Sequence, residues 1–293
     1  LLPCMKLPSL LRFSLVLPFA AALGAADSKP VGVNASFKGP VGLQLYSLRG
    51  LATTNAPAAL KQAHDFGFVE VELAGTYKQT PEKFNEMLAA NGLRAVSGHW
   101  SYDLWKKEPE KVIAEAKALG VKFAGCAWIG HKPPFDEAAV RDAIAVFNRA
   151  GEVAAAAGIN FFYHCHGYEF LPFKNGTLMD ELITGTDPKK VSFQMDVLWV
   201  VFPGQDPVKW LRKYPGRWSL MHLKDLRKGV VGDASGRTDL KNDVALGTGQ
   251  MNWPAILKAA QEVGVKHYFI EDESPTVLEQ IPVSLRYLES VKL

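Results

Sequence analysis

Tyr163-His164-Cys165-His166-Gly167-Tyr168-Glu169-Phe170 closes a short apolar run and sets two imidazoles and a carboxylate side by side. Three further clusters follow it: Met195-Asp196, Met221-His222-Leu223-Lys224-Asp225 and Ile270-Glu271-Asp272-Glu273. Each stands at the far end of a run that reads as a β-strand. The steps are 27 residues from Glu169 to Asp196, 26 from Asp196 to His222 and 49 from His222 to Glu271. A βαβ unit takes about 30 residues or more, so the spacing is that of a parallel α/β fold. Strand C-termini gather on one face of such a fold. Carboxylates and a His converging there predict a site for one divalent cation of the Zn or Mn type.

The rest of the chain repeats this alternation. Segments 41–46, 69–73, 93–97, 121–127, 160–166, 191–196, 219–223 and 267–270 read as strands. Helical spacing covers 57–66, a stretch opened by Thr80-Pro81, and 109–119, 136–157, 206–213, 253–263 and 275–291. Eight strands alternating with helices are the pattern of a (β/α)8 barrel, a TIM barrel. A doubly wound sheet is the alternative, but no G-x-G-x-x-G opens the first helix. The long irregular stretch 227–252 carries five glycines. A loop of that length in a compact domain is usually a lid or binding loop.

Bulk properties narrow the function. The chain has 293 residues, 33 basic and 30 acidic, for a formal charge of +3. With no basic block, nothing points to nucleic acid. At the N-terminus, Met5-Lys6 and Arg12 precede an apolar run from Phe13 to Leu23, and small residues follow at 20–26. This is the order of a secretory signal peptide. The apolar run is too short to span a bilayer, and Pro18 interrupts it. The expected organisation is therefore a signal peptide at 1–26, a linker at 27–40 and a barrel at 41–293, with the protein exported to the periplasm or beyond. Cleavage removes Cys4 and leaves Cys126 and Cys165, strand-interior residues expected as buried free thiols.

The strand ends supply the candidate chemistry. His164 and His166 flank Cys165 and share a face, which in a barrel strand is the inner one. Glu169 sits at the exit of that strand, where it can swing over the mouth. His222 and Lys224 share a face likewise, and one of Glu271, Asp272 and Glu273 is expected to point inward. Asp196 reads as a ligand or as a helix cap. Gln44, Tyr46, Glu72, His99 and Trp128 all fall at C-terminal strand ends and are candidates for binding substrate. Aromatic faces beside hydrogen-bonding groups suit a sugar, although ordinary packing explains the aromatics as well.

Several of these pieces resemble a known family, the xylose isomerase-like TIM barrels or sugar phosphate isomerases/epimerases. They are 42–49 (GLQLYSLR), 71–75 (VELAG), His164-Cys165-His166 with Glu169-Phe170, His222-Leu223-Lys224-Asp225 and Leu246-Gly247-Thr248-Gly249. The resemblance implies one divalent ion, Mn, Mg, Zn or Co, on a carboxylate and His set from strands five to eight. The match places Asp196, His222 and Glu271 on the last three. On strand five, ketose epimerases have Glu where this chain has His164, so the ligand there is Glu169 or a His, with Glu169 preferred. The resemblance further implies removal of a proton next to a carbonyl, with His164, His166 and Lys224 as acid/base candidates, leading to isomerisation, epimerisation or elimination. With export, an unphosphorylated keto-sugar or 3-keto-glycoside is the expected substrate. A DNA-repair endonuclease of the same superfamily carries Asp-x-x-His on strand six, where this chain has Asp196 and Trp199. The rival from another class is a non-catalytic, exported sugar-binding barrel.

Overall fold

Eight short parallel strands pair edge to edge until the last meets the first: β1 (Val41–Gln44), β2 (Glu70–Leu73), β3 (Arg94–His99), β4 (Phe123–Cys126), β5 (Asn160–His164), β6 (Val191–Asp196), β7 (Trp218–Leu223) and β8 (His267–Ile270). Closure is by β1 against β8, with Val41 opposite Tyr268 and Leu43 opposite Ile270. The chain is therefore a (β/α)8 TIM barrel, seen in a computed structural model that describes residues 30–293. The segment expected as signal peptide, 1–26, lies outside the described residues, as does Cys4. Among the described residues, no helix is long and apolar enough to cross a membrane.

Eight helices surround the barrel: α1 (Ala56–Asp65), α2 (Pro81–Ala90), α3 (Pro109–Leu119), α4 (Glu137–Ala156), α5 (Leu178–Gly185), α6 (Pro207–Lys213), α7 (Trp253–Val263) and α8 (Val277–Ser290). Most begin where a side chain takes up orphan backbone N–H groups: Asn55, Thr80, Asp136, Thr177, Asp206 and Asn252 are such caps. The hydrophobic spacing missed α5, which spans only eight residues. Its sequence signal is the reciprocal cap between Thr177 and Asp180. Short helices also follow β3 (Tyr102–Lys107) and β6 (Val197–Val201), where the sequence pattern assigned no element.

The barrel interior has two storeys. Val96, Phe123, Phe162, Leu220 and Phe269 fill the lower one. Gly125 makes room for it, since a Cβ there would meet the Phe162 ring at 2.4 Å. The upper storey is polar and includes Glu72, Ser97, Gln194 and His222, all buried. Strand direction puts this storey toward the C-terminal mouth, so the fold delivers polar groups to the face where sites form.

Two connections differ from the expected outline. The described part of the expected linker packs onto the barrel. Phe37 is fully buried with its ring 5.0 Å from that of Tyr268, and Asn34 donates to the carbonyls of Leu288 and Val291. The loop 227–252 is pinned at its base: Asp225–Leu226 pairs antiparallel with Asp243–Val244. The Asp225 carboxylate then accepts from the backbone N–H of Gly247 (2.9 Å), Gly249 (3.2 Å) and Met251 (3.3 Å) and from Trp253 Nε1 (2.9 Å). Gly249 is required for this, because a Cβ would stand 2.2 Å from Asp225 Oδ1. Cys126 and Cys165 are both buried and free.

Candidate metal centre

β5, β6, β7 and the residue after β8 bring His164, Asp196, His222 and Glu271 together. One ligand atom from each lies within 4.8 Å of the others, and all four residues are buried. His164 Nε2 stands 3.0 Å from His222 Nδ1 and 3.4 Å from Asp196 Oδ2, and Glu271 Oε2 lies 3.2 Å from His222 Nδ1. Asp196 serves two purposes at once. Its Oδ1 caps the helix after β6 by accepting from Trp199 N at 3.1 Å, while its buried Oδ2 has no hydrogen-bond partner.

A carboxylate oxygen buried without a donor is expensive. Two imidazole nitrogens facing each other beside two carboxylates bring four potential ligand atoms within 4.8 Å of one another. A divalent cation answers both, so the donor set fits the metal that the fold implies, with His and carboxylate ligands of the Zn or Mn type. Burial opposes charge on Asp196, His222 and Glu271 alike. It works against His222, but the carboxylates of Glu72 and Glu271 overcome it and carry that imidazole well above its ordinary pKa. Burial likewise raises Asp196, and its contacts with His164 and His222 reverse the shift.

Glu72 was expected at the mouth as a substrate-binding residue, and the structure corrects this. Its carboxylate lies below the mouth, fully buried, and does not line the pocket. Four side chains saturate it: Gln44 Nε2 (2.7 Å) and His222 Nε2 (2.5 Å) on Oε1, Ser97 Oγ (2.5 Å) and Gln194 Nε2 (2.9 Å) on Oε2. The bond from His222 Nε2 turns Nδ1 toward the cluster, the arrangement that orients an imidazole for a metal once Nδ1 gives up its proton. Burial pushes Glu72 upward, yet His99 and His222 hold it down at about 2. Gln194 and Ser97 were not anticipated. For Gln194 the signal was available, since it sits two residues before Asp196 and therefore shares its face.

Glu169 is also not where it was expected. It does not reach the cluster, and His164 supplies the strand-five position. The carboxylate instead turns behind β5, where it accepts from the Tyr163 hydroxyl and from the backbone N–H of His166 at 3.0 and 3.1 Å. The reason is local: Gly167 takes φ +98, and the turn after it folds Tyr168–Phe170 back against the strand. Lys224 is buried with Nζ 3.2 Å from Glu271 and 2.5 Å from Glu273. Burial disfavours its charge, but Glu271, Glu273 and Asp243 raise its pKa well above the ordinary lysine value.

A cavity of about 690 Å³ opens over the cluster. Its floor includes His164, His222 and Glu271, its walls Gln44, Tyr46, His99 and Trp128. Trp100, a weaker candidate from the end of strand three, lines it too, and Glu273 and Tyr102 join them without having been singled out as substrate-binding residues. His166 lines the same space with its ring stacked on Trp199 at 4.6 Å and its Nδ1 unpartnered. Burial lowers the His166 pKa to about 3 and that of His99 to about 4. No lysine or arginine lines this cavity among the described residues.

The model of the xylose isomerase-like TIM barrel matches residues 60–291. The chain belongs to that family. Among curated relatives of this xylose isomerase-like barrel, the inosose dehydratase of Geobacillus thermodenitrificans is 26% identical over 255 residues, covering 77% of this chain and 85% of that enzyme. Among solved structures, a sugar phosphate isomerase/epimerase from Parabacteroides distasonis is 28% identical, with a TM-score of 0.69 over 89% of this chain and 97% of its own. The IolI protein, crystallised with a zinc atom, shares the fold at a TM-score of 0.65 and 13% identity, over 85% of this chain and 95% of its own. These likenesses support a sugar-processing enzyme. They also overturn the expectation of export, since the curated relatives that this family member resembles are inosose dehydratases.

Proposed function

We propose that this protein is a divalent-metal-dependent dehydratase acting on an unphosphorylated ring polyol that carries a ketone, an inosose or a close chemical relative. The observation that carries the reading is the four-residue ligand cluster at the floor of a cavity free of lysine and arginine. A phosphorylated sugar calls for cationic donors, and the floor and walls offer aromatic faces, amides and imidazoles. Likeness to inosose dehydratases supports the same substrate class.

His164, Asp196, His222 and Glu271 would hold the cation, which supplies Lewis-acid polarisation of a ketone and its neighbouring hydroxyl. Glu72 fixes the His222 ring so that its Nδ1 faces the cluster. Lys224 balances Glu271 and Glu273. His166, in the cavity wall with a free ring nitrogen, takes the proton from the carbon next to the ketone. The electron pair left on that carbon forms the new double bond as the hydroxyl on the adjacent carbon departs. That hydroxyl leaves as water with the proton returned by His166, so one imidazole serves both halves and the net change is loss of water. Trp128 packs edge-on against His166 at 4.9 Å and limits its swing.

The test is elemental analysis and turnover together. Near-stoichiometric Mn, Co or Zn is expected in the purified wild type and is lost in both Asp196→Ala and His222→Ala. The loaded wild type consumes an inosose with appearance of the unsaturated ketone, and His166→Ala keeps the metal but loses at least a hundredfold in kcat. Deuterium exchange from solvent without loss of water would favour an epimerase instead. A protein that takes up no metal after incubation with Mn, Co and Zn sinks the proposal and promotes the sugar-binding barrel.

A further inference from the structure

Past His166 lies a second cavity of about 370 Å³, under the loop 227–252. Three buried polar atoms without partners belong to residues that line it: His166 Nδ1, Trp199 Nε1 and Asp243 Oδ1. Trp199 and Asp243 are 4% and 2% exposed, so their stranded atoms are not solvated at the surface. The remaining polar wall comes from Arg237, Thr238, Lys224 and Glu273. Arg237 and Lys224 are cationic and Glu273 is an acid, while burial pushes the Asp243 carboxyl well above the usual carboxylate range. Lys224 is already paired with Glu271 and Glu273, so the compartment offers donors and acceptors more than free charge, bordered by the indole of Trp199.

We infer that this side cavity is a binding site for a neutral, hydroxyl-bearing unit, so that the substrate is a two-part molecule with its ketone ring over the metal cluster and a second polyol ring beyond His166. Hydroxyls both donate and accept, which matches an indole N–H beside a carboxyl oxygen. A phosphate is disfavoured, because Lys224 is already held by Glu271 at 3.2 Å and Glu273 at 2.5 Å. His166 and Glu273 line both spaces, so the two cavities adjoin at these side chains. Gly236 fixes the loop against that junction. It sits at φ +69, where a Cβ would stand 2.9 Å from Tyr168 and 3.0 Å from the His166 carbonyl.

The inference rests on the proposed function only for what occupies the main cavity. Calorimetry on the full, metal-loaded chain tests it with unreactive probes: inositol, an O-glucosylated inositol and inorganic phosphate. The glucosylated probe is expected to bind at least tenfold more tightly than inositol. Trp199→Phe, which keeps the ring on His166 and removes one N–H, should lose about fivefold of that preference and leave inositol binding unchanged. Arg237→Ala should weaken the glucosylated probe alone. Equal affinity for the two polyols, binding of neither, phosphate binding more tightly than the glucosylated probe, or an unchanged preference in Trp199→Phe each overturn the inference. Turnover keeps the two readings apart. An inosose dehydrated with no preference for the glucosylated form leaves the function and removes the second site, whereas a binding preference without any dehydration does the reverse.

Discussion

Glu72 and Glu169 are the same residue type, both fully buried in one barrel, and their surroundings drive them to opposite states. Burial pushes each carboxylate toward the protonated form. At Glu72, the charges of His99 and His222 and the bond from Ser97 reverse that push and hold the group at about 2. At Glu169 burial prevails and raises it from 4.5 to about 7, with only a phenol and backbone N–H groups to oppose it. Depth is therefore not what decides the charge of a buried acid. Imidazoles next to one of them do, and they make Glu72 a fixed anion beneath the metal cluster while Glu169 is a clasp on the backbone of β5.

The largest effect expected from this difference is in Glu72→Ala. The substitution strands His222 Nε2, Gln44, Ser97 and Gln194 in the barrel interior, and removing one partner of a buried pair costs about 3–5 kcal/mol. It also frees the His222 ring to turn, which lowers metal affinity about 10–100-fold, as loss of such a supporting carboxylate does elsewhere. Denaturant titration and metal competition measure the two. Metal affinity unchanged in a folded Glu72→Ala protein would break the comparison, because Glu72 would then be a bystander.

Next in size is the pH response of Glu169, read as wild type minus Glu169→Gln. The folded carboxyl keeps its proton up to about 7, and the unfolded one releases it near 4.5. Between those values the folded state binds more protons, so the stability that Glu169 contributes falls as pH rises. It is full below 4.5, lost progressively up to 7 and flat above. The total is about 3 kcal/mol at 1.36 kcal/mol per unit. A difference that grows with pH instead would mean that Glu169 is ionised like Glu72.

How far the sequence discloses all this follows the same division. Periodicity is a property of single strands, and it located all eight, because apolar alternation and terminal polar residues are local signals. It also placed Asp196, His222 and Glu271 at strand ends, where the structure brings them together. What it could not give is where a side chain turns once its strand has ended. Glu169 follows Gly167, and the left-handed turn there sends the carboxylate behind the strand rather than over the mouth. Glu72 was visible as a mouth residue, but its burial depends on Gln44, Ser97, Gln194 and His222, four residues from four other strands. The helix α5 escaped for a different reason, since eight residues carry too little periodicity and only its cap announces it.

The smallest effect is expected on the Glu169 side, at the loop that leans on it. A Cβ at Gly236 would meet Tyr168 and the His166 carbonyl, the neighbours of the Glu169 clasp. In Gly236→Ala, the positive φ alone disfavours alanine by about 1 kcal/mol, and the close contacts force the loop outward. Stability should fall by about 1–2 kcal/mol, as expected for local strain, while metal content stays that of the wild type. The movement reaches the wall shared by His166 and the side cavity, so binding of a glucosylated inositol should weaken while inositol is unaffected. Loss of metal in Gly236→Ala would mean that the loop and the ligand cluster are one rigid unit. The division between an anion that serves the metal and a neutral acid that serves the backbone would then no longer hold.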